Sequence, residues 1–219
     1  MSGGSKARWV TIPTAAEDRH FKWAVNQWNL PMMLGHTFSV LHTRNRDEAN
    51  ADAFLEPLLG ATAVWFTGGR QWRLVDAYAG TRTEREIRGV LDRGGLIAGA
   101  SAGATIQGSY LVRGAPAGNT IMMAPGHERG FAYVCNVAID QHIDTRGRDF
   151  DLAQVVARYP NLLGLGIDEH TAVLVQKNVA TVIGNGRVLV TDGQDHGGVP
   201  FYALLEGDRL DLATWTTIS

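Results

Sequence analysis

Short apolar runs alternate with longer amphipathic stretches along the first half of the chain. In chain order these segments cover residues 9–12, 19–34, 38–41, 47–59, 63–66, 84–92 and 96–98. Strand-length runs that alternate with helix-length stretches are typical of βαβ units, in which helices cover both faces of a parallel sheet. The pattern therefore predicts an α/β fold with a doubly wound, mostly parallel sheet and flanking helices.

The pattern changes after residue 164. Three short runs of alternating residues follow at 171–175, 179–183 and 187–190, and Asn185-Gly186 separates the last two. An Asn-Gly pair between two such runs favours a tight hairpin, because both residues tolerate positive φ. We predict a C-terminal antiparallel extension of the sheet with a hairpin at Asn185-Gly186. Because no repeat or linker interrupts residues 1–219, we interpret them as one domain.

Composition excludes several kinds of partner. The 20 basic and 22 acidic residues are mixed along the chain, so no basic run is available to neutralise a nucleic-acid backbone. No apolar segment approaches the roughly 20 residues that span a bilayer, and the first six residues lack the apolar core of a signal peptide. We therefore expect no nucleic-acid partner, no membrane association and a cytoplasmic location. Cys135 is the single cysteine, which excludes a disulfide within the chain. We expect no metal and no cofactor.

A serine between glycines follows the apolar run at 96–98. The spacing Gly99-x-Ser101-x-Gly103 is typical of a nucleophile elbow, a tight turn from strand to helix that leaves the serine Oγ exposed. Backbone N–H groups at the start of the helix can stabilise an oxyanion, so the motif indicates acyl transfer. Close packing of a strand against a helix also selects glycine and alanine, and the motif alone leaves both readings open.

A serine nucleophile needs a base, and the chain has seven histidines. His142 follows residues 137–141 at the predicted carboxyl end of a strand, where the functional loops of a parallel sheet gather. Asp168 and Glu169 follow another predicted strand at 163–167. Side chains alternate along a strand, so we expect only one of these two carboxylates to face the imidazole and orient it.

Five blocks of small, polar and charged residues follow one another along the chain. They are Ile12-Pro13-Thr14-Ala15, Thr67-Gly68-Gly69-x-Gln71, Gly99-x-Ser101-Ala102-Gly103-Ala104, Asp140-Gln141-His142-x-x-x-Arg146-Gly147-Arg148 and Gly166-Ile167-Asp168-Glu169-x-Thr171-Ala172. In this order they resemble the cyanophycinase and dipeptidase E family of serine peptidases. The paired arginines after Asp-Gln-His look most similar to cyanophycinase-like members. The resemblance implies a fold like that of class I glutamine amidotransferases, which is flavodoxin-like.

The resemblance also implies a role for each matching residue. It makes Ser101 the nucleophile, His142 the general base and Glu169, rather than Asp168, the partner of the imidazole. The other implied site residues are Gly69 and Ala102 for the oxyanion hole, and Gln71, Arg146 and Arg148 for substrate binding. The implied reaction is hydrolysis of a small acidic peptide, either an α- or β-linked aspartyl dipeptide or a cyanophycin-like polymer, through an acyl-enzyme.

Two departures from the family pattern bear on these expectations. The chain has Asp149 and Asp151 where similar sequences commonly have a further arginine before leucine. The reversed charge argues against recognition of an arginine polymer, and the aspartates could instead favour a cationic leaving residue. The family's opening strand would precede Arg8, where this chain has only Ser2-Gly3-Gly4-Ser5, so we expect that strand to be lost or trimmed.

Two other functions compete with the peptidase. An α/β-hydrolase esterase orders its triad as serine, acid, histidine, which here would recruit Asp168 or Asp192 with His196. A non-catalytic module could instead keep the same scaffold to bind an amino-acid-like ligand. The residue pattern leaves the linkage, the length of the substrate and a homodimer open.

Overall fold

The computed structural model describes residues 4–20 and 37–218. The chain divides into two compact units, Met1–Ile106 with Arg113–Asn119, and Gln107–Val112 with Thr120–Ser219. Each unit is described by itself. Most of the amphipathic stretch predicted at residues 19–34 lies outside the described residues.

The first unit contains a parallel sheet of four strands in the order β2-β1-β3-β4. The strands are β1 Arg8–Ile12, β2 Thr37–Val40, β3 Ala63–Phe66 and β4 Leu96–Gly99. The helices are α1 Asp52–Leu59, α2 Trp72–Tyr78, α3 Arg82–Asp92 and α4 Ala102–Thr105, and short 3-10 turns cover Gly4–Lys6, Asp18–His20 and Glu48–Asn50. In α3 the buried Thr83, Ile87 and Val90 recur on one face, as an amphipathic helix on a sheet requires.

Strand order in this sheet reverses between β1 and β3. The loops after these two strands therefore leave the sheet in different directions, which in open α/β sheets creates a crevice that can hold a ligand. Within the first unit these loops also contact each other, since the Arg70 N–H donates to the Ala15 carbonyl at 2.8 Å.

The second unit contains two sheets. The first has the order β11-β10-β7-β6-β5, and the second has the order β13-β12-β9-β8. The first sheet contains β5 Gly108–Tyr110, β6 Val134–Gln141, β7 Leu163–Ile167, β10 Val188–Thr191 and β11 Tyr202–Leu204, and the second contains β8 Thr171–Gln176, β9 Val179–Gly184, β12 Arg209–Asp211 and β13 Thr216–Ile218. The helices are α5 Ile143–Arg146 and α6 Asp151–Arg158. Residues of both sheets share one hydrophobic core, which includes Leu163, Leu165, Val182, Val188 and Leu210.

The predicted fold class is confirmed. Strands β1 to β4 run parallel, β5, β6 and β7 run parallel, and the pairings of β8 to β13 are antiparallel. The structure divides the parallel strands between two sheets. The interpretation of residues 1–219 as one domain stays a prediction. Within residues 4–20 and 37–218, no helix has the length and apolar character that a bilayer crossing requires.

The hairpin predicted at Asn185-Gly186 is wrong. Strand β9 pairs with β8 and β12, whereas β10 pairs with β7 and β11, so the chain passes from one sheet to the other at this point. The hairpin instead joins β8 to β9 at Lys177, which adopts a positive φ of 56°. Glycine at 186 serves close packing, because a Cβ there would lie 2.8 Å from the Cβ of Asp168.

Candidate active site

Ser101 occupies the turn between β4 and α4. Its backbone has φ 54° and ψ −118°, a combination that an L-residue rarely adopts and that costs about 1–3 kcal/mol. Such strain persists only where the surroundings enforce it, and its location at a half-buried serine is typical of a nucleophile elbow.

The flanking glycines enforce this turn. A Cβ at Gly99 would overlap the carbonyl of Gly103, and a Cβ at Gly103 would overlap the carbonyl of Phe66, both well inside the 3.0 Å limit for real Cβ contacts. The close packing, which the motif left as one alternative, is therefore present, and the catalytic role of Ser101 stays a prediction. The packing of α4 against the ends of β3 and β4 holds Ser101 in its strained conformation.

Two backbone N–H groups near this turn are available to a ligand. In residues 4–20 and 37–218, neither the Gly69 N–H nor the Ala102 N–H donates to an acceptor. The Ala102 N–H is the first of α4, and the first N–H groups of a helix have no carbonyl acceptor within that helix. Gly68, beside Gly69, packs on the turn at Ser101, since a Cβ there would lie 3.3 Å from the Ser101 Cβ. The elbow and the glycine loop thus supply a hydroxyl and two open donors in one unit.

His142 and Glu169 come together in the second unit. His142 follows β6 and Glu169 follows β7, and these strands are parallel neighbours with Gln141 opposite Ile167. The imidazole Nδ1 contacts Glu169 Oε1. Because a carboxylate only accepts, this contact selects the neutral tautomer with the proton on Nδ1 and the lone pair on Nε2, which is the form that a general base requires.

Asp168 has a different partner. Its side chain is only 6% exposed, and Oδ2 accepts hydrogen bonds from Arg187 N at 2.9 Å and from Arg187 Nε at 2.8 Å. The hydrogen bond to Asp168 raises the pKa of Arg187 above its ordinary value. Of the two adjacent carboxylates, Glu169 is the one that contacts the imidazole.

The two predicted substrate-binding arginines differ in their surroundings. Arg146 is exposed on α5, and its guanidinium has no ion-pair partner in the described part of the chain. Arg148 is buried, with Nη1 donating to the Gln141 carbonyl at 3.0 Å and lying 3.5 Å from Asp140 Oδ1. Gln71, the other predicted substrate-binding residue, is 3% exposed and directly precedes α2.

Arg187 is a residue that sequence reasoning missed. Besides Asp168, it pairs through Nη2 with Asp149 Oδ1 at 3.2 Å. The negative charge of Asp149, which suggested a cationic leaving residue, is thus balanced within the chain. No local signal identifies Arg187, because it lies just before β10 and 38 residues from Asp149.

The histidine of the alternative esterase triad belongs to a single polar turn. His196 Nε2 lies 2.9 Å from Asp192 Oδ1, and its ring packs on Tyr202 with centroids 4.9 Å apart. Burial opposes ionisation of Asp192, but hydrogen bonds from His196 and from the Gln194 N–H hold the pKa of this carboxyl below its ordinary value.

Comparison with known proteins identifies the family. Residues 1–183 match the profile of Peptidase family S51. The chain belongs to peptidase family S51. Two similar proteins of this family are cyanophycinases. That of Geminocystis herdmanii is 31% identical over 206 residues, which cover 90% of this chain and 76% of that protein. That of Trichormus variabilis is 31% identical over 198 residues, which cover 87% of this chain and 65% of that protein.

Solved structures support the same fold. A peptidase from an acI-B1 Actinobacterium aligns with a TM-score of 0.70 at 24% identity and covers 93% of this chain and 82% of its own. A putative peptidase E protein from Listeria monocytogenes aligns with a TM-score of 0.61 at 18% identity, and the alignment covers 84% of this chain and 89% of that protein. The predicted resemblance to the cyanophycinase and dipeptidase E group is confirmed, and with it the assignment to the serine-type peptidases.

Proposed function

We propose that this S51 peptidase hydrolyses aspartyl peptides through a Ser101-His142-Glu169 triad and an acyl-enzyme. The observation that carries the proposal is the strained backbone of Ser101, with φ 54° and ψ −118° between β4 and α4. The contact between His142 and Glu169 and the open N–H groups of the first unit support it. The substrate is either an α- or β-linked aspartyl dipeptide or a cyanophycin-like polymer.

In the proposed mechanism, Ser101 Oγ attacks the scissile carbonyl while His142 Nε2 accepts its proton. The N–H groups of Gly69 and Ala102 stabilise the resulting oxyanion. His142 then donates the proton to the leaving amine, and an ester between Ser101 and the acyl group remains. Water activated by His142 releases the acid, and Glu169 stabilises the imidazolium in both steps.

Arg146 is the proposed partner of the substrate carboxylate. A guanidinium can bind a carboxylate through two parallel hydrogen bonds, and Arg146 is exposed and unpaired within the described residues. Arg148 contributes to substrate binding only indirectly, because its guanidinium binds Asp140 and Gln141, the last residues of β6 before His142. We keep Gln71 as a proposed substrate contact through its position in the glycine loop.

Labelling with a fluorophosphonate tests the nucleophile. We expect one label per chain, which peptide mapping should locate on Ser101, because the probe needs an activated hydroxyl beside an oxyanion hole. Ser101→Ala should take no label. A folded wild-type protein that stays unlabelled would favour the non-catalytic binding module on the same scaffold. A label on another residue would show that Ser101 is not the nucleophile.

Arg146→Ala tests the carboxylate contact. We expect KM for aspartyl dipeptides to rise about 10- to 100-fold, since a hydrogen-bonded charge pair contributes about 1.5–3 kcal/mol. The measurement is amine release from α- and β-aspartyl dipeptides, neutral dipeptides and cyanophycin. Arg209→Ala removes another exposed arginine of the same unit and should leave KM unchanged. Cleavage confined to neutral dipeptides would contradict the proposed role of Arg146.

A further inference from the structure

Helix α5 connects the histidine and the carboxylate of the proposed site through its own side chains. The turn begins directly after His142, whose carbonyl accepts the Arg146 N–H at 3.2 Å. Asp144, in the first turn, accepts the backbone N–H of Glu169 on Oδ1 at 3.0 Å. Thr145 lies beside it, and its Oγ1 donates to Glu169 Oε1 at 3.4 Å.

The residue before Glu169 is held from the opposite side. The Asp168 N–H donates to the Arg187 carbonyl at 3.0 Å, and Asp168 Oδ2 accepts the Arg187 N–H at 2.9 Å. These bonds fix Asp168 against the start of β10. The hydrogen bond that the Glu169 N–H donates to Asp144 is the one described hydrogen bond between α5 and the backbone of Glu169.

We propose that Asp144 is a positioning residue that fixes Glu169 against His142. The proposal rests on the proposed function, since it assigns Asp144 a role in that same triad. Without the Asp144 carboxylate, the Glu169 N–H loses its acceptor, and the backbone of Glu169 has no described hydrogen bond to α5. The Glu169 carboxylate then shifts relative to the imidazole, and displacements near 1 Å at a catalytic group cost about 10²-fold in rate.

The acceptor is present under ordinary assay conditions. The hydrogen bond from the Glu169 backbone lowers the pKa of the Asp144 carboxyl below its ordinary value. A lowered pKa in the folded state means that the carboxylate is ionised at neutral pH and that its contribution is lost only when acid protonates it. Asp144 is exposed, so we expect its removal to leave the fold intact.

Two variants separate the hydrogen bond from the charge. Asp144→Ala removes the acceptor, whereas Asp144→Asn keeps an Oδ1 that can accept the same N–H. We expect kcat to fall about 10- to 100-fold in Asp144→Ala with KM unchanged, because a displacement near 1 Å at a catalytic group costs up to about 10²-fold in rate. Asp144→Asn should recover most of this loss.

A spectroscopic measurement reports the geometry directly. The proton between His142 Nδ1 and Glu169 should give a downfield ¹H NMR signal, which Glu169→Ala should abolish and thereby assign, because alanine has no acceptor for this proton. We expect the signal to be weakened or lost in Asp144→Ala and retained in Asp144→Asn. An effect of Asp144 on thermal stability alone would leave both this signal and kcat unchanged, and that result would overturn the positioning role.

Ser101→Ala, assayed in parallel, distinguishes the two levels of the proposal. If Ser101→Ala remains active, the proposed function itself fails. If Ser101→Ala is inactive while Asp144→Ala matches wild type in kcat and in the downfield signal, only the inference about Asp144 fails. Equal losses of kcat in Asp144→Ala and Asp144→Asn would assign the effect to charge and would also overturn the inference.

Discussion

Replacing Ser101 with alanine is expected to lower kcat/KM for the preferred aspartyl peptide by at least about 10⁴-fold. The reason is the loss of the attacking oxygen, because alanine keeps the Cβ on which Gly68 packs and needs the same backbone conformation. The variant should therefore fold like the wild type. Initial rates of amine release, together with thermal unfolding curves, measure the two effects separately.

A double variant tests whether Ser101 and His142 act as one unit. Substitutions of triad residues lower kcat non-additively. His142→Ala alone should therefore lower kcat about as much as Ser101→Ala, and the double variant Ser101→Ala/His142→Ala should lower it no further. His196→Ala is the matched control and should retain activity. Additive losses from Ser101 and His142 would show that they act independently. Loss of activity in His196→Ala with full activity in His142→Ala would support the esterase order.

The sequence predicts the elbow well because its determinants are local. The strand, the serine and the flanking glycines lie within residues 96–105, and the glycines are needed for contacts with adjacent backbone. The position of His142 is equally local, since the apolar run of β6 ends just before it. Both elements follow from short-range steric and hydrophobic patterns.

Other features depend on partners that are distant in sequence. Asp168 and Glu169 are adjacent and chemically similar, and the contact of Asp168 with Arg187, the residue before β10, distinguishes them. Arg146 and Arg148 are likewise close in sequence. The chain reverses at Gly147, with φ 59°, and leaves one arginine exposed and the other buried. No periodicity carries that information.

The failed hairpin has the same origin. An Asn-Gly pair predicts a two-residue turn only if the flanking runs pair with each other. Here Val182 and Val188 both pack in one core but belong to different sheets, so residues 185–186 form a crossing between sheets. Local turn chemistry was outweighed by the tertiary pairing of β10 with β7.

Gly69 combines a structural and a proposed catalytic requirement in one residue. Its φ of 141° lies in a region that L-residues rarely adopt, and a Cβ there would overlap the carbonyl oxygen of Ala15. The Ala15 carbonyl cannot easily move away from this Cβ, because it also accepts the Arg70 N–H. Relief of the clash must separate the loops after β1 and β3 and move the Gly69 N–H away from Ser101.

Gly69→Ala is therefore expected to lower the free energy of unfolding by about 3 kcal/mol or more, as the sum of backbone strain and overpacking. The folded fraction should lose about 10²- to 10³-fold in kcat, the effect of removing one oxyanion donor. Urea unfolding and fluorophosphonate labelling rates measure these losses. Gly94→Ala is the matched control, because Gly94 has φ 81° but no atom within 4 Å of a Cβ. It should cost only about 1 kcal/mol and leave kcat unchanged, and a similar result for Gly69→Ala would contradict the proposed oxyanion loop.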